Sequence, residues 1–186
     1  MRIVLDVENT VTKRNGKTHM DPFEPTNFLV QVGTKDVDSN ERHLLTFDHL
    51  EYSDRTGANA ELLQSILDRT TLLIMHNAQH DLMWLWASGF KYDGEIYDTM
   101  LAEYILQRGQ KQSVSLLACA ERRNLNFQKD DTLKNYFKEG YNTNEIPLNE
   151  LTHYLGCDID TTTELFHAIN SEGYSQSCSN GMDRVR

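Results

Sequence analysis

The sequence predicts an α/β fold in which a mixed β-sheet is flanked by helices. Apolar runs of strand length come first along the chain, and helical patterns dominate after them. The links between the first runs are short and rich in Asn, Asp and Gly, which favours antiparallel neighbours. A later run, Thr71 to Met75, is continuously apolar, which is typical of a strand covered on both faces.

The first three predicted strands form a meander. Met1 to Asp6 is an apolar run that ends in an acid, and the runs from Phe28 to Val32 and from His43 to Phe47 have strand length and composition. Ala58 to Leu67 has helical spacing. Further helical patterns follow the buried strand: Asp81 to Ser88, Asp98 to Leu106, Val114 to Arg123 and Thr132 to Lys138.

The last predicted helix has the clearest pattern. Pro147 suits a first helical turn, where its missing N–H leaves no hydrogen bond unmade. Gly173 is the predicted stop, which gives a domain of residues 1–173 and a polar, flexible tail of residues 174–186. The residues that form one core-facing stripe follow at steps of three or four: Leu148, Leu151, Leu155, Ile159, Thr162, Phe166 and Ile169.

Length and composition indicate one compact domain. The 186 residues are 39% hydrophobic and 25% charged, which excludes collagen-like and low-complexity chains and leaves enough apolar material for a core. The apolar runs are far shorter than the ~20 residues of a membrane helix. Three widely spaced cysteines, Cys119, Cys157 and Cys178, favour a reduced, intracellular location, and we expect a cytoplasmic protein.

The net charge argues against a general attraction to nucleic acids. The formal charge is −10 and the pI is about 5.1, so the chain as a whole repels phosphate. The segment from Arg108 to Lys138 differs, because it holds seven basic residues against three acidic ones. Such a segment is either a solvated helical surface or a patch that guides a nucleic-acid strand, and the sequence leaves both open.

Four acids and a tyrosine stand out by their positions in the predicted elements. Asp6 and Glu8 are two apart at the end of the first strand, so both side chains point to one face. Asp81 lies one turn into the helix after the buried strand, near the positive end of the helix dipole. Tyr154 and Asp158 are four apart on the last helix and share one of its faces.

Each of these signals has a structural alternative. Asp-x-Glu pairs arise by chance in a chain with 28 acids, Asp81 can be an ordinary acid in the first helical turn with Asn77 as the cap, and the Tyr–Asp pair can be a hydrogen bond at the boundary of the core. His76 and His80 are four apart, as in a zinc-protease helix. The glutamate required after the first histidine is absent, so zinc is not expected there.

As a set, these residues favour hard divalent cations. Oxygen ligands suit Mg²⁺ or Mn²⁺. Two such ions about 3.5–4 Å apart can clamp the attacking and leaving oxygens of an in-line phosphoryl displacement. The three motifs Asp-x-Glu, Asp and Tyr-x-x-x-Asp are far rarer in this order than any one of them alone. A phosphoryl displacement with two metal ions explains why those residue types would occur together.

The motifs resemble those of the DEDD 3′–5′ exonucleases, in the branch whose third motif is Tyr-x-x-x-Asp. Tyr97 to Leu106 resembles the helix after the second motif in proofreading domains of family-A DNA polymerases, bacterial and phage, and the resemblance spans roughly Ile3 to Ile169. It implies a ribonuclease-H-like fold and a two-metal-ion hydrolysis of single-stranded or frayed DNA at the 3′ end. The implied products are 5′-monophosphates.

The resemblance also implies roles for the individual residues. Asp6, Glu8 and Asp158 would hold the first metal ion, with Asp6 bridging to the second, and Asp81 would support the second. Tyr154 would orient the attacking water, which the first metal makes acidic enough to ionise near neutral pH.

The substrate contacts are implied in the same way. Asn77 fits a place near the terminal nucleotide, and main-chain groups around Asn9 and Thr10 would face the 3′ end. At His80 the family often has an aromatic ring, so this contact departs from the family pattern.

Two other functions stay open from the sequence. A ribonuclease-D-like RNA 3′-exonuclease shares all four acids, and a degenerate domain would bind a nucleic-acid end or a partner without cutting. The resemblance also implies a DNA polymerase as a partner, in the same chain or in trans, and we expect a monomer. The chain has no polymerase-sized remainder, so we expect a free-standing exonuclease or a part of a longer protein.

Overall fold

One mixed five-stranded sheet forms the centre of the computed structural model. The structure describes residues 1–126 and 132–182. Side chains are described up to Ser171, except that of Thr132. The strands of the chain are β1 (Arg2–Asn9), β2 (Thr12–Arg14), β3 (Lys17–His19), β4 (Leu29–Asp36), β5 (Arg42–Thr46), β6 (Asp48–His49), β7 (Tyr52–Ser53), β8 (Leu72–Met75) and β9 (Glu95–Asp98). The sheet order is β5-β4-β1-β8-β9, and β2–β3 and β6–β7 form two separate ribbons.

The first half of the sheet is antiparallel, as predicted. β1 pairs with β4 and β4 with β5, which confirms the N-terminal meander. β8 then pairs in parallel with β1, and its residues Leu73, Ile74 and Met75 are completely buried, which confirms the doubly covered strand.

The edge strand β9 and the ribbon β2–β3 were missed by the sequence reasoning. β9 pairs in parallel with β8, but its four residues include two acids and show no apolar run. An edge strand is paired on one side only, so it needs less apolar surface than a central strand, and the periodicity is correspondingly weak.

Six α-helices cover the two faces of the sheet in the part of the chain that the structure describes. They are α1 (Ala58–Arg69), α2 (Ala78–Ala87), α3 (Thr99–Leu106), α4 (Leu116–Arg122), α5 (Thr132–Glu139) and α6 (Leu148–Met182), with a 3₁₀ turn at Thr143–Glu145. α1 and α2 pack with Ile3, Leu5 and Val7 of β1 on one face. α6 packs against Val4 on the other face. This layered arrangement confirms the predicted ribonuclease-H-like α/β fold.

The long helix α6 follows the predicted stripe but not the predicted end. Leu151, Leu155 and Ile159 are completely buried. The helix continues through Gly173 to Met182, because a glycine weakens a helix by only about 1 kcal/mol and does not have to end it. Residues 183–186 of the predicted tail lie outside the described residues, and the division at residue 173 stays a prediction.

A glycine in β4 brings α6 unusually close to the sheet. A Cβ atom at Gly33 would lie 2.9 Å from Cγ1 of Ile159, so any other residue would push the helix away. Gly33 pairs across the ladder with Asp6 of β1. Helix and sheet are therefore in close contact beside the first acid.

The structure holds no candidate membrane span among the residues it describes. Across residues 1–126 and 132–182, none of the helices combines the length and the hydropathy needed to cross a bilayer.

Candidate active site

Asp6 and Glu8 lie on the face of β1 that is covered by α6. Alternation along the strand puts them on the same side as Val4, which packs against Leu155 and Ile159 of α6. Both carboxyl groups are half-buried. A bulge between Glu8 and Asn9 interrupts the pairing with β4 directly after the second acid.

Tyr154 and Asp158 face these acids from the middle of α6. Their spacing of four residues lets the Tyr154 hydroxyl donate a hydrogen bond to the Asp158 carboxylate. Burial raises the pKa of Asp158 to about 6, and the tyrosine hydrogen bond opposes that rise. Burial and the nearby Asp158 and Glu8 carboxylates raise the pKa of Tyr154, so the phenol stays protonated.

Asp81 reaches the same region from the first turn of α2. Its side chain is 2% exposed, and Oδ2 is buried without a hydrogen-bond partner among the described residues. Burial raises its pKa well above the usual range, and the neighbouring Asp6 adds to the rise. A buried acceptor without a donor costs about 1–3 kcal/mol, so this oxygen is suited to a positive partner.

The N-terminus of α2 is capped by Asp98 rather than by Asn77. The backbone N–H groups of Asn77 and Ala78 donate to the Asp98 carboxylate at 3.1 and 3.0 Å. Asn77 occupies the N-cap position, but the alternative in which its side chain caps the helix does not hold. Asn77 adopts a left-handed conformation, with φ of 74°, and its exposed side chain makes no capping hydrogen bond.

The four carboxyl groups raise one another's affinity for protons. Burial and then Asp158 raise the pKa of Asp6 to about 8. The pKa of Glu8 is raised well above its usual range, first by burial and then by Asp6 and Asp158. The ion pairs among the described residues do not include these four acids. The site is therefore a concentration of uncompensated negative charge.

The four carboxyl groups of the site are neighbours, but their arrangement is not yet that of a metal-binding site. In the described ranges, no group of three His, Cys, Asp or Glu side chains is arranged to hold a metal ion as it stands.

A cavity of about 390 Å³ opens beside Glu8. The sequence reasoning missed two of its walls, Met20 after the β2–β3 ribbon and Phe137 of α5, which are 58% and 40% exposed. An exposed large apolar residue beside the acids is a signal that appears only with coordinates. Asn9 and His80 form a polar wall.

His80 contacts Asn9, its neighbour in the predicted substrate site. Burial lowers the pKa of His80, so the ring is neutral, and its Nε2–H donates to Asn9 Oδ1 at 2.9 Å. The Asn9 amide nitrogen donates in turn to the Thr10 carbonyl at 2.9 Å. Thr10 itself is 1% exposed, and its N–H donates to the Phe28 carbonyl. The Thr10 N–H is therefore already engaged within the protein.

Two arginines of the basic segment from Arg108 to Lys138 form ion pairs with a buried acid. Arg122 and Arg123 both pair with Glu103, which is 2% exposed. Lys129 lies outside the described residues, and Lys134 and Lys138 are exposed on α5. The two arginines thus stabilise the packing of α3 against α4, and the guiding role stays open only for the remaining basic residues.

Two solved structures share this fold. The apo form of a nuclease aligns with a TM-score of 0.65 at 15% identity, over 95% of this chain and 74% of that one. NrnC of Brucella melitensis bound to pGG aligns with a TM-score of 0.61 at 14% identity over the same shares. At these identities the likeness shows the fold.

The family is shown by sequence. A family model described as 3′–5′ exonuclease matches residues 18–173, a range that begins after Asp6 and Glu8. A comparison with curated proteins gives no match. Because the model covers most of the chain, the protein belongs to the 3′–5′ exonuclease family and is a hydrolytic nuclease.

Proposed function

We propose that the protein is a metal-dependent enzyme that removes nucleotides from the 3′ end of single-stranded or frayed DNA and releases nucleoside 5′-monophosphates. The observation that carries this proposal is the acidic site itself. Asp6 and Glu8 from β1, Asp81 from α2 and Asp158 from α6 all have raised pKa values, chiefly because of burial, and Glu8 lines a cavity.

The donor set fits two Mg²⁺ or Mn²⁺ ions. All four side chains are carboxylates, the ligands that these ions prefer, and Oδ2 of Asp81 is a buried acceptor without a donor. In this proposal Asp6, Glu8 and Asp158 hold one ion, while Asp6 and Asp81 hold the other. The ions would supply an acidified water and offset the charge that develops on the phosphate. The bound ions would also neutralise the carboxylates, which would then no longer repel one another.

Tyr154 is proposed to orient the attacking water. Its raised pKa keeps the hydroxyl protonated at every pH at which the enzyme would work. A phenol that donates to Asp158 also offers lone pairs to a water next to the same carboxylate. Tyr154 therefore positions the nucleophile without serving as the base.

The cavity beside Glu8 is proposed to take the 3′-terminal nucleoside. Its wall combines apolar surface from Met20 and Phe137, against which a base can pack, with the polar Asn9 and His80. Asn77 lies exposed at the start of α2 and would contact the same nucleotide. The Brucella NrnC structure of the same fold was solved with pGG, which is consistent with a nucleic-acid substrate.

The biological setting follows the resemblance to proofreading domains. We propose that a DNA polymerase, in the same chain or in trans, supplies the frayed 3′ ends. The protein would act as a monomer in the cytoplasm, and its negative surface would be tolerated because the enzyme grips only a few nucleotides at one end.

Digestion of matched oligonucleotides tests the proposal. End-labelled single-stranded DNA and RNA of one sequence are incubated with Mg²⁺, Mn²⁺ or EDTA, and the products are resolved by length and by end chemistry. We expect stepwise shortening of DNA from the 3′ end with either metal, and none with EDTA. Faster cleavage of RNA would replace DNA by RNA as the substrate, since a contact to the 2′-hydroxyl distinguishes the two.

A matched pair of variants ties the activity to the site. Asp6→Asn should abolish shortening, because it removes the ligand proposed to be shared by both ions. Asp160→Asn should retain it, since Asp160 is outside the acidic site and its half-exposed side chain pairs with Lys35 of β4 and Arg42 of β5. Full activity of Asp6→Asn, or an inactive wild-type enzyme on both polymers, would overturn the proposal.

A further inference from the structure

The connector between α5 and α6 is joined to the segment that follows β1 by one asparagine side chain. The Val11 N–H donates to Asn142 Oδ1 at 2.9 Å, and Asn142 Nδ2 donates to the Val11 carbonyl at 2.9 Å. The amide thus pairs with both backbone groups of Val11, as a neighbouring strand would. The two residues are 131 positions apart.

The same asparagine also caps the 3₁₀ turn of the connector. Its Oδ1 accepts from the Thr143 N–H at 2.9 Å, and its own N–H donates to Glu145 Oε2 at 2.6 Å, so that Asn142 and Glu145 form a capping box. Asn142 therefore has two separable functions. The acceptor Oδ1 serves both the cap and the Val11 N–H, whereas the donor Nδ2 serves only the Val11 carbonyl.

The pairing lies between the proposed nucleoside cavity and the helix of the third motif. Val11 and Thr143 both line the cavity beside Glu8. The other side of the connector leads directly into α6, which begins at Leu148 and carries Tyr154 and Asp158. Lys13 makes a second link when its ammonium donates to the Gly140 carbonyl at 3.2 Å, but this side chain is exposed.

We propose that Asn142 is a positioning residue that holds the Asn9–Val11 segment at the distance from α6 needed to bind the 3′-terminal nucleotide. This inference rests on the proposed function. Asn142 does not touch the four acids, so its contribution is to substrate binding. Loss of the pairing should leave the metal ligands of β1 in place, because Asp6 and Glu8 precede the bulge and are held by the ladder with β4.

The variant Asn142→Asp separates the two functions of the side chain. Aspartate caps a helical turn as well as asparagine does, so the capping box and the stability should be retained. It cannot donate to the Val11 carbonyl, and its second carboxylate oxygen repels that carbonyl.

We expect the KM for a single-stranded oligothymidylate and the inhibition constant of thymidine 5′-monophosphate both to rise about tenfold, with kcat changed less than twofold. Metal affinity, followed by the Mg²⁺-dependent increase in Tm, should equal that of the wild type. This split between KM and kcat would not result from general destabilisation.

Asn144→Asp is the matched control for charge. It places the same negative charge two residues away in the same turn, and the Asn144 contact found among the described residues is made by its backbone carbonyl, which accepts from the Leu50 N–H. We expect its KM to stay within twofold of the wild type.

Three outcomes overturn the inference, and a different one overturns the proposed function. The inference fails if Asn142→Asp binds substrate and product as the wild type does, if Asn144→Asp raises KM equally, or if Asn142→Asp lowers metal affinity in proportion to activity. A wild-type enzyme without turnover overturns the proposed function instead.

Discussion

Tyr154 illustrates how single residues of the site depend on their neighbours. Its hydroxyl donates to Asp158, and this hydrogen bond limits the rise in pKa that burial causes, so that the pKa of Asp158 is about 6. The phenol thus keeps Asp158 ready to lose its proton near neutral pH, in addition to its proposed contact with water.

Replacement of Tyr154 by phenylalanine should slow turnover without loss of the metal site. We expect kcat for single-stranded DNA to fall ~10–10³-fold, as for other positioning groups, because the attacking water loses its hydrogen bond. In the metal-free protein, the pKa of Asp158 should be higher in the variant than in the wild type, since Asp158 loses the hydrogen bond that favours its charged form. Steady-state kinetics at saturating Mg²⁺ measure the first effect, and titration of the Asp158 carboxyl group in EDTA by NMR measures the second.

Tyr136→Phe is the matched deletion for that experiment. It removes a hydroxyl of α5 that donates to Glu150 of α6 at 3.3 Å. The activity of this variant should equal that of the wild type. If Tyr154→Phe instead lost most of its affinity for Mg²⁺ at unchanged kcat under saturating metal, the phenol would be a structural support of the ligands.

At the scale of elements, Asp98 connects the two helices that follow the parallel strands. Its carboxylate accepts from Asn77 and Ala78 at the start of α2, and from Met100 and Leu101 at the start of α3 at 2.9 and 3.2 Å. Through the first pair it fixes the turn that carries Asp81.

Asp98→Ala should therefore weaken both stability and activity. Loss of a cap costs about 1 kcal/mol, so the loss at two helices is expected to lower the free energy of unfolding by about 2 kcal/mol. Turnover should fall as well, because the first turn of α2 would no longer hold Asp81. Urea unfolding and exonuclease assays measure the two effects.

The exposed Asp93 in the loop before β9 provides the comparison. Asp93→Ala removes the same charge five residues earlier and should change the free energy of unfolding by less than about 0.5 kcal/mol. If both variants were equally stable and equally active, Asp98 would not act as the shared cap.

At the scale of the whole molecule, the acidic site opposes folding when it is charged. The pKa of Asp158 is about 6 and that of Asp6 about 8 in the folded protein, against an ordinary value of 3.8 for an aspartate in an unfolded chain. Between these values the folded state binds more protons than the unfolded state. The stability that this protonation contributes is complete below pH 3.8 and is lost as pH rises through 6 and then 8.

The protein in EDTA should therefore melt at a lower temperature at pH 8 than at pH 5.5. Millimolar Mg²⁺ should raise Tm at pH 8 by about 5 °C and much less at pH 5.5, because it binds deprotonated ligands of the folded state. Thermal unfolding followed by circular dichroism at both pH values measures the difference.

The variant Asp6→Asn separates this effect from other titrations. It should show a smaller loss of Tm between pH 5.5 and pH 8 in EDTA and a smaller response to Mg²⁺. An equal pH dependence in variant and wild type would show that the acidic site does not govern stability.

Much of the fold could be predicted from local patterns. The meander, the buried strand β8 and the stripe of α6 each follow from the spacing of apolar residues within one segment, and such spacing is independent of distant contacts. The end of α6 could not be predicted in this way, since Gly173 is compatible with either a stop or a continued helix. β9 was missed because an edge strand has a weak pattern.

Which acids share a face follows from the local geometry of single elements. Alternation along β1 places Asp6 and Glu8 on one side, and the step of four residues places Tyr154 beside Asp158. These are properties of a single strand or helix, so the local geometry settles them. The roles of the four acids as metal ligands stay predictions.

The packed fold establishes which surfaces of these elements contact one another. It brings α6 over the Asp6 face of β1 at Gly33, assigns the cap of α2 to Asp98 and pairs Asn142 with Val11. Each of these contacts joins segments that are far apart in sequence, and the energy of such a contact depends on the packing of all the elements between them. The periodicity of one segment carries no information about that packing, so these contacts can be identified only in the folded structure.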